Sequence, residues 1–228
     1  MLIPALDERL QTVAELFTPC ALGADIGADH GHLSCALLQS SKCEKMIVSD
    51  ISTASLEKAQ KLFARHGLDR RADFRVADGF AALKAGEGVA CAALCGIGGA
   101  LMVRILRRSP AELLPPALIL SANTDMPLVR TVLQEIGYCL TEERIVRAKR
   151  RFYIIMRAER GAAQYNEREL YLGPVLLQKR PDIFKDYLSW REGVVACENG
   201  HERQLQWIRE ELAYAAGDST DGLSLIHI

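Results

Sequence analysis

The segment Ala24-Asp-Ile-Gly-Ala-Asp-His-Gly-His-Leu-Ser34 holds the residues with the clearest chemical potential. An apolar run ends in a turn carrying Gly27 and Gly31, and a helical pattern opens beyond it. Backbone N–H groups of such a turn face any ligand lying above the strand end. Glycine is needed wherever a side chain would collide with that ligand. Two glycines alone describe an ordinary strand-to-helix turn, so the acids decide. Asp50, in Val48-Ser-Asp-Ile51, ends the next apolar run 23 residues after Gly27, close to the ~20-residue offset at which a carboxylate meets ribose hydroxyls. Asp78, in Val76-Ala-Asp-Gly79, ends the run after that, where a carboxylate suits an adenine amino group. Three acidic strand ends around one glycine turn predict a nucleoside-containing cofactor.

The loop also says which cofactor. A nicotinamide dinucleotide requires Gly-x-Gly-x-x-Gly with a helix N-terminus free for pyrophosphate. Here Asp29 occupies the second glycine position and Asp25 precedes the turn, and two carboxylates would repel a pyrophosphate. S-adenosylmethionine carries no phosphate, and its cationic groups favour acids. Asp25-Ile-Gly-Ala-Asp-His-Gly31 is a variant of the methyltransferase Asp-x-Gly-x-Gly-x-Gly signature. The candidate cofactor-binding residues of the loop are Asp25, Gly27, His30 and Gly31, joined by Asp50 and Ile51, by Asp78 and Gly79, and by Gly96 after the fourth strand. His30 and His32 flank Gly31 and read as polar groups at a helix start rather than as catalysts.

These residues need a scaffold. The apolar pattern predicts an amphipathic helix over 6–18, read as packing, then strand 21–26, helix 33–40, strand 45–50, helix 52–66 and strand 73–77. It continues with strand 89–94, helix 99–108, strand 117–122 and helix 127–137. Short apolar strands alternating with helices imply a mainly parallel sheet covered on both faces. The alternation then breaks: 139–146 and 152–158 read as two strands joined by the basic turn 147–151. A parallel sheet ending in an antiparallel hairpin is the Rossmann-like class I methyltransferase sheet of an α/β protein. From Gly161 to about Ala216 helix formers dominate, interrupted by Pro174, Pro181, Gly193 and Gly200, which predicts two or three helices packed as an antiparallel pair. Leu205, Ile208 and Leu212 follow the spacing of a buried stripe. The expected organisation is thus a catalytic domain over 1–160, a small helical, coiled-coil-like domain over 161–216 and a disordered or artefactual tail over 217–228. Residues 223–228 (Leu-Ser-Leu-Ile-His-Ile) look like translated adapter sequence.

With 49% apolar and 25% charged residues and a net charge of −1, the composition is ordinary and globular, so any polyanion site must come from local charge. Residues 141–160 hold seven basic side chains against three acids. Within them, Arg147, Lys149, Arg150 and Arg151 are placed to meet phosphates. Tyr153 is placed to stack on a base. Arg104, Arg107 and Arg108 extend the basic surface. A solvated turn is the competing reading. The seven cysteines are odd in number and form no Cys-x-x-Cys pair, so they read as small core residues in a reducing cytosol, and no metal is expected. No signal pattern or long apolar segment is present. A soluble, cytoplasmic, monomeric protein is therefore expected.

Taken in order and spacing, Ala24-Asp-Ile-Gly-Ala-Asp-His-Gly-His-Leu, Ser49-Asp-Ile, Gly96-Ile-Gly-Gly99, Arg151-Phe-Tyr and Tyr171-Leu-Gly-Pro174 resemble the tRNA (adenine-22-N1) methyltransferases, the TrmK family. The resemblance runs from about Leu6 to Trp207. It implies a Rossmann-like catalytic domain followed by a helical coiled-coil domain, S-adenosylmethionine as cofactor and tRNA as partner. Gly96-Ile-Gly-Gly99 stands where the family has Gly-Met-Gly-Gly, and Ser121-Ala-Asn123 where it has Gln-Pro-Asn, which leaves Asn123 as the candidate base contact. Enzymes that methylate exocyclic amines carry Asn/Asp-Pro-Pro-Tyr/Phe after the fourth strand; Gly96-Ile-Gly-Gly99 offers no such groups, which suits attack by the in-plane lone pair of ring N1. Asp29 and Asn123 are the candidate catalytic residues, with capping of the helix near Gly31 as the alternative role of Asp29. Competing functions are a non-catalytic tRNA-binding protein on the same fold and a small-molecule methyltransferase.

Overall fold

The structure is a computed structural model that describes residues 6–148, 150–197 and 199–221. The chain divides into two compact units between Gln164 and Tyr165. The first opens with α1 (Glu8–Leu16), whose N-cap Asp7 accepts the Leu10 N–H at 2.8 Å. It continues as β1 (Cys20–Ile26), α2 (His32–Gln39), β2 (Cys43–Asp50), α3 (Thr53–His66), β3 (Ala72–Val76) and β4 (Cys91–Ile97). Then come α4 (Gly99–Arg108), β5 (Ala117–Ala122), α5 (Met126–Glu135), β6 (Tyr138–Ala148) and β7 (Arg151–Arg160).

The seven strands form one sheet in the order β3-β2-β1-β4-β5-β7-β6. β1 to β5 are parallel, and β7 is antiparallel to both β5 and β6. β5 is buried at every position because helices cover both faces, which is why it reads as an unbroken apolar run. The boundaries of α3 follow from local chemistry: Ser52 accepts the Ser55 N–H at 3.2 Å, and Gly67 ends the helix at φ 67°. On one face of the sheet, Val13, Phe17, Leu37, Met46 and Phe63 are fully or almost fully buried in a single cluster.

The register decides where the hairpin tip lies. Leu120 of β5 pairs with Met156 of β7, whereas the β6–β7 ladder runs on to Ala148 and Arg151. The hairpin thus passes the end of β5 by three residues, about 10 Å at the usual strand rise. Its tip stands at the carboxyl end of the parallel strands, the end at which such sheets bind ligands.

The second unit contains α6 (Glu167–Leu172), α7 (Pro174–Lys179), α8 (Asp182–Val195) and α9 (Glu202–Asp221). Four helices are described where the sequence pattern predicts two or three. Gly173, at φ 104°, and Pro174 split the first predicted helix into two short ones, α6 being opened by a capping box between Asn166 and Glu169. α8 and α9 pack together across a short connection, as an antiparallel pair. Of the predicted stripe, Ile208 is fully buried while Leu205 and Leu212 are half-buried. Glu211 shares the interior, bonded to Arg168 at 2.7 Å and Arg180 at 3.1 Å. α9 continues to Asp221, into the stretch expected as a tail, because extending an existing helix costs far less than nucleating one. Residues 222–228 lie outside the described residues, as does the adapter-like hexamer.

Candidate functional site

The glycine loop is shaped by backbone bonds to the neighbouring strand. The N–H groups of Gly27 and Ala28 both donate to the Ser49 carbonyl at 2.8 Å, tying the turn to the end of β2. Gly27 sits at φ 72° with open space around it, so its backbone conformation selects glycine. Gly31 is different. A Cβ there would stand 2.9 Å from the Ala59 side chain and 3.1 Å from Phe63, so this glycine lets α2 start against α3. Gly31 is also the N-cap of α2, with no side-chain cap bond, and the capping role weighed for Asp29 is therefore absent. Asp29 itself adopts φ 49°, uncommon for a residue with a side chain.

The three strand-end acids line one cavity of about 590 Å³ at the carboxyl end of the parallel strands. Asp50 accepts the Asp29 N–H at 2.9 Å through one carboxylate oxygen and the Ser52 N–H at 2.8 Å through the other. Asp25 is only 5% exposed and accepts the Ser34 hydroxyl at 2.7 Å. Burial pushes its carboxyl up to about 6 against the opposing Ser34 hydrogen bonds, and the nearby negative charge of Asp50 adds to the rise. Asp78 stands exposed after β3, and its side chain makes no cap bond to the following turn. Ile51, Gly79 and Gly96 complete the predicted part of the wall. Beside Gly96, the half-buried Cys95 thiol is pushed up to about 12 by desolvation, so it is a neutral part of the wall.

Other predicted residues lie elsewhere. His30 is not in the cavity wall; it faces Lys58 at 3.2 Å and Asp29 at 3.5 Å. Its neighbour His32 lines the cavity instead, with a buried Nδ1 that has no partner among the described residues. Asn123 is exposed and is not part of the cavity wall: its amide donates to the Gly96 carbonyl at 3.0 Å and its N–H to the Ile97 carbonyl at 2.9 Å, fastening the end of β4 to that of β5. Ser121 is fully buried within β5, beside Cys95 in the ladder. Asp29 lines the cavity with an exposed carboxylate 3.4 Å from the Ser55 hydroxyl.

The hairpin's positive charge is concentrated at its tip. Arg144 pairs with Glu15, Arg157 donates to the Leu16 carbonyl and pairs with Glu159, and Arg160 reaches the Leu114 carbonyl. Those three hold the sheet edge. Arg147 lies over Phe152, and Arg150 and Arg151 are exposed and form no ion pair among the described residues. Lys149 lies outside the described residues. Tyr153 is half-buried against the core, with the Arg9 guanidinium 5.4 Å from its ring centroid. Of the three arginines of α4, Arg107 is taken by Glu135 at 2.8 Å, whereas Arg104 lines the cavity and Arg108 a smaller neighbouring cleft.

Arg9, Leu10 and His32 are wall residues that sequence reasoning missed. α1 carries no motif, and an arginine beside an amphipathic stripe is the commonest kind of helix surface. Among the described residues, no cluster of three or more His, Cys, Asp or Glu side chains could hold a metal, and no helix is long and apolar enough to cross a membrane.

Residues 6–156 match the family described as Methyltransferase domain. The chain is 32% identical over 186 residues to the tRNA (adenine(22)-N(1))-methyltransferase of Bacillus subtilis (strain 168), covering 78% of each protein. A Streptococcus pneumoniae protein assigned as a tRNA (m1A22) methyltransferase, solved in complex with S-adenosyl-L-methionine, superposes with a TM-score of 0.85 at 27% identity, over 91% of this chain and 100% of that one. TrmK of M. capricolum, solved with S-adenosyl-homocysteine, shares the fold at a TM-score of 0.75 and 21% identity, over 91% of this chain and 95% of that one. The seven-stranded sheet, the glycine loop with its three strand-end acids and these likenesses together place the chain in the tRNA (adenine(22)-N1)-methyltransferase family, TrmK.

Proposed function

We propose that this protein transfers the methyl group of S-adenosylmethionine to N1 of adenosine-22 in tRNA. The observation that carries this reading is the single cavity in which Asp78, Asp50 and the glycine loop stand at the ends of three adjacent parallel strands. The wall suits that cofactor. Asp29 and Asp50 would repel a pyrophosphate but suit hydroxyl, amino and sulfonium groups. Ile51, a large apolar side chain left 72% exposed at the cavity, offers a face for an adenine ring. The buried, unpartnered Nδ1 of His32 offers a further polar contact.

When bound, S-adenosylmethionine supplies an electrophilic methyl group on a sulfonium centre; the new N1–CH₃ bond forms as the S–CH₃ bond breaks, leaving a neutral thioether and a positive charge on the adenine ring. Adenine N1 has a free in-plane lone pair, so no side chain has to remove a proton before attack. What remains for the protein is placement and charge. Asp50 holds the loop by the Asp29 N–H and the start of α3 by the Ser52 N–H, and presents its carboxylate to hydroxyl donors. Asn123 fixes the Gly96 turn, and its side-chain carbonyl, which accepts nothing among the described residues, is available to an adenine amino group. Asp29 holds an anion over the cavity, favouring the state in which charge has moved to the base. The base must leave its helical stack to arrive there, and the arginines at the hairpin tip hold the flanking phosphates.

Mass spectrometry of nucleosides from tRNA incubated with the protein and labelled S-adenosylmethionine tests this. Label in 1-methyladenosine at position 22 is expected. Label elsewhere, or none with a folded protein that binds tRNA, would overturn it.

A further inference from the structure

We propose that Cys20 and Cys43 form a thiol modification site, which a hydroperoxide converts reversibly into a disulfide that staples β1 to β2.

The backbone brings the two thiols together. Cys20 opens β1 and Cys43 opens β2, and they are direct partners in the parallel ladder although 23 residues apart in sequence. Neighbouring strands lie about 4.8 Å apart, within the range of about 4.4 to 6.8 Å between Cα atoms that a disulfide spans. The two sulfur atoms already stand 3.5 Å apart. Small side-chain rotations therefore suffice to reach a bond of about 2 Å, with no change of register. The register is itself held in place. The Cys20 N–H donates to the Lys42 carbonyl at 3.0 Å, and the Lys42 ammonium donates to the Ala14 and Glu15 carbonyls at 2.7 Å each.

Among the described residues the other thiols stand singly. Cys95, Cys139 and Cys197 donate to the carbonyls of Ile119, Glu159 and Gly193, and Cys35 and Cys91 are fully buried in the core. The Cys20–Cys43 pair also divides the tasks of a redox site. Cys20 is half-buried and within reach of a small oxidant, whereas Cys43 is fully buried. The Cys43 S–H, donated to the Cys20 sulfur, holds the Cys20 thiol below its ordinary value and pushes Cys43 up, so Cys20 supplies the attacking thiolate while Cys43 keeps its proton.

The chemistry then balances. The Cys20 thiolate attacks the hydroperoxide; an S–O bond forms as the O–O bond breaks, and the leaving oxygen takes a proton from solvent. Cys20 is now a sulfenic acid. The Cys43 sulfur displaces its hydroxyl, the S–S bond forming as the S–O bond breaks, and the hydroxide leaves as water with the Cys43 proton. The two thiols give up two electrons, and the hydroperoxide that accepts them is reduced to an alcohol and water. Exchange with a dithiol reverses the step. Closing a loop of chain that is open in the unfolded ensemble stabilises the oxidised protein. The cross-link lies at the amino ends of β1 and β2, away from the cavity at their carboxyl ends.

The parent, Cys20→Ser, Cys43→Ser and Cys91→Ser are treated with hydrogen peroxide, blocked with iodoacetamide after denaturation, and read by intact mass and fragment mapping, with thermal melting of each form. The parent should lose two alkylatable thiols, mapped to a cross-link between Cys20 and Cys43, and regain both with dithiothreitol. It should melt about 5 °C or more higher when oxidised. Cys91→Ser should behave as the parent. Cys43→Ser should leave Cys20 as a sulfenic acid that dimedone captures, with no rise in melting temperature, and Cys20→Ser should form no cross-link. A parent that keeps all its thiols, links Cys20 to Cys91 or Cys197, or passes to the sulfinic acid without a disulfide overturns the proposal, as does an unchanged melting temperature in the cross-linked parent. Mapping and melting of the parent decide this whether or not every serine variant folds.

Discussion

The backbone N–H of Asp29 donates a 2.9 Å hydrogen bond to the carboxylate of Asp50, joining the middle of the glycine loop to the end of the neighbouring strand. Asp50 thus has two tasks, shaping the loop and facing the cofactor. Asp50→Asn keeps an acceptor and roughly the shape, and is expected to weaken S-adenosylmethionine binding by about 1 to 3 kcal/mol, the range for hydrogen bonds to charged groups. Asp50→Ala should weaken it further, since the Asp29 and Ser52 N–H groups lose their acceptor as well. Calorimetry on both variants checks this; equal affinities for the two and the parent would remove Asp50 from the site.

Asp29 accepts the Ser55 hydroxyl at 3.4 Å and does not cap α2, so Asp29→Asn removes a charge without removing a cap. Asparagine also tolerates the observed φ of 49°. If the carboxylate stabilises charge developing on the adenine ring, turnover falls by ~100-fold while cofactor affinity stays nearly constant. Single-turnover kinetics read the effect, and near-normal turnover would limit Asp29 to shaping the loop.

At the hairpin tip, Arg147 and Arg150 have no acidic partner among the described residues, unlike Arg144, Arg157 and Arg160. Reversing both to Glu should weaken tRNA binding and lower the slope of log K against log salt by about 1 for each phosphate that is no longer neutralised. S-adenosylmethionine binding should not change. Reversing Arg144 should do far less, because its charge is already spent on Glu15. An unchanged salt slope in the tip variant would reduce the turn to a solvated loop.

Burial raises Asp25 from 3.8 to about 6 in the folded protein, against the opposing Ser34 hydrogen bonds. A raised carboxyl holds a proton that the unfolded chain has released. Its favourable contribution is therefore complete below about pH 4 and is lost as pH rises through 6, a cost on the order of 3 kcal/mol at neutral pH. A cofactor cation beside Asp25 reverses the preference by favouring the ionised form. S-adenosylmethionine affinity should then rise with pH between about 4 and 6 and level off above. Asp25→Asn should flatten that rise and increase the stability of the free protein at pH 7. Calorimetry and urea denaturation over this window check both, and a variant with the parent's pH profile would assign the titration to another group.

α5 and β6 are joined in the interior by Arg130 and Glu143, whose side chains are both 0% exposed and meet at 2.8 Å. Glu143→Ala leaves the buried guanidinium without this counter-charge and should destabilise the first unit by about 3 to 5 kcal/mol. Urea denaturation measures it. A loss below about 1 kcal/mol would show the pair to be no stronger than an exposed one.

Much of this was local and therefore legible in the amino-acid order. The inner strands β4 and β5 are buried over most or all of their length and so read as apolar runs, whereas the edge strand β3 is half-exposed and carries Asp73 and Arg75; the acids Asp50 and Asp78 follow their strands closely in sequence. α4 (Gly99–Arg108) and β5 (Ala117–Ala122) begin and end where the pattern places them, and Asp50 and Asp78 stand at strand ends as their positions after apolar runs require. What the order of residues could not show are the contacts made across the fold. Arg9 enters the wall because α1 packs against the hairpin strands β6 and β7, and half a turn of rotation about the helix axis would have pointed it to solvent. Only the left-handed turn at Asp29 and Gly31 decides that His32, and not His30, faces the cavity. The seven basic residues of the hairpin look alike in sequence, yet three are tied to carbonyls or acids of distant segments and only those at the tip keep their charge available. Alternation of apolar and polar residues reports whether a position is buried, but which partners meet there depends on strand order and helix rotation, and these are set by packing of segments far apart in the chain.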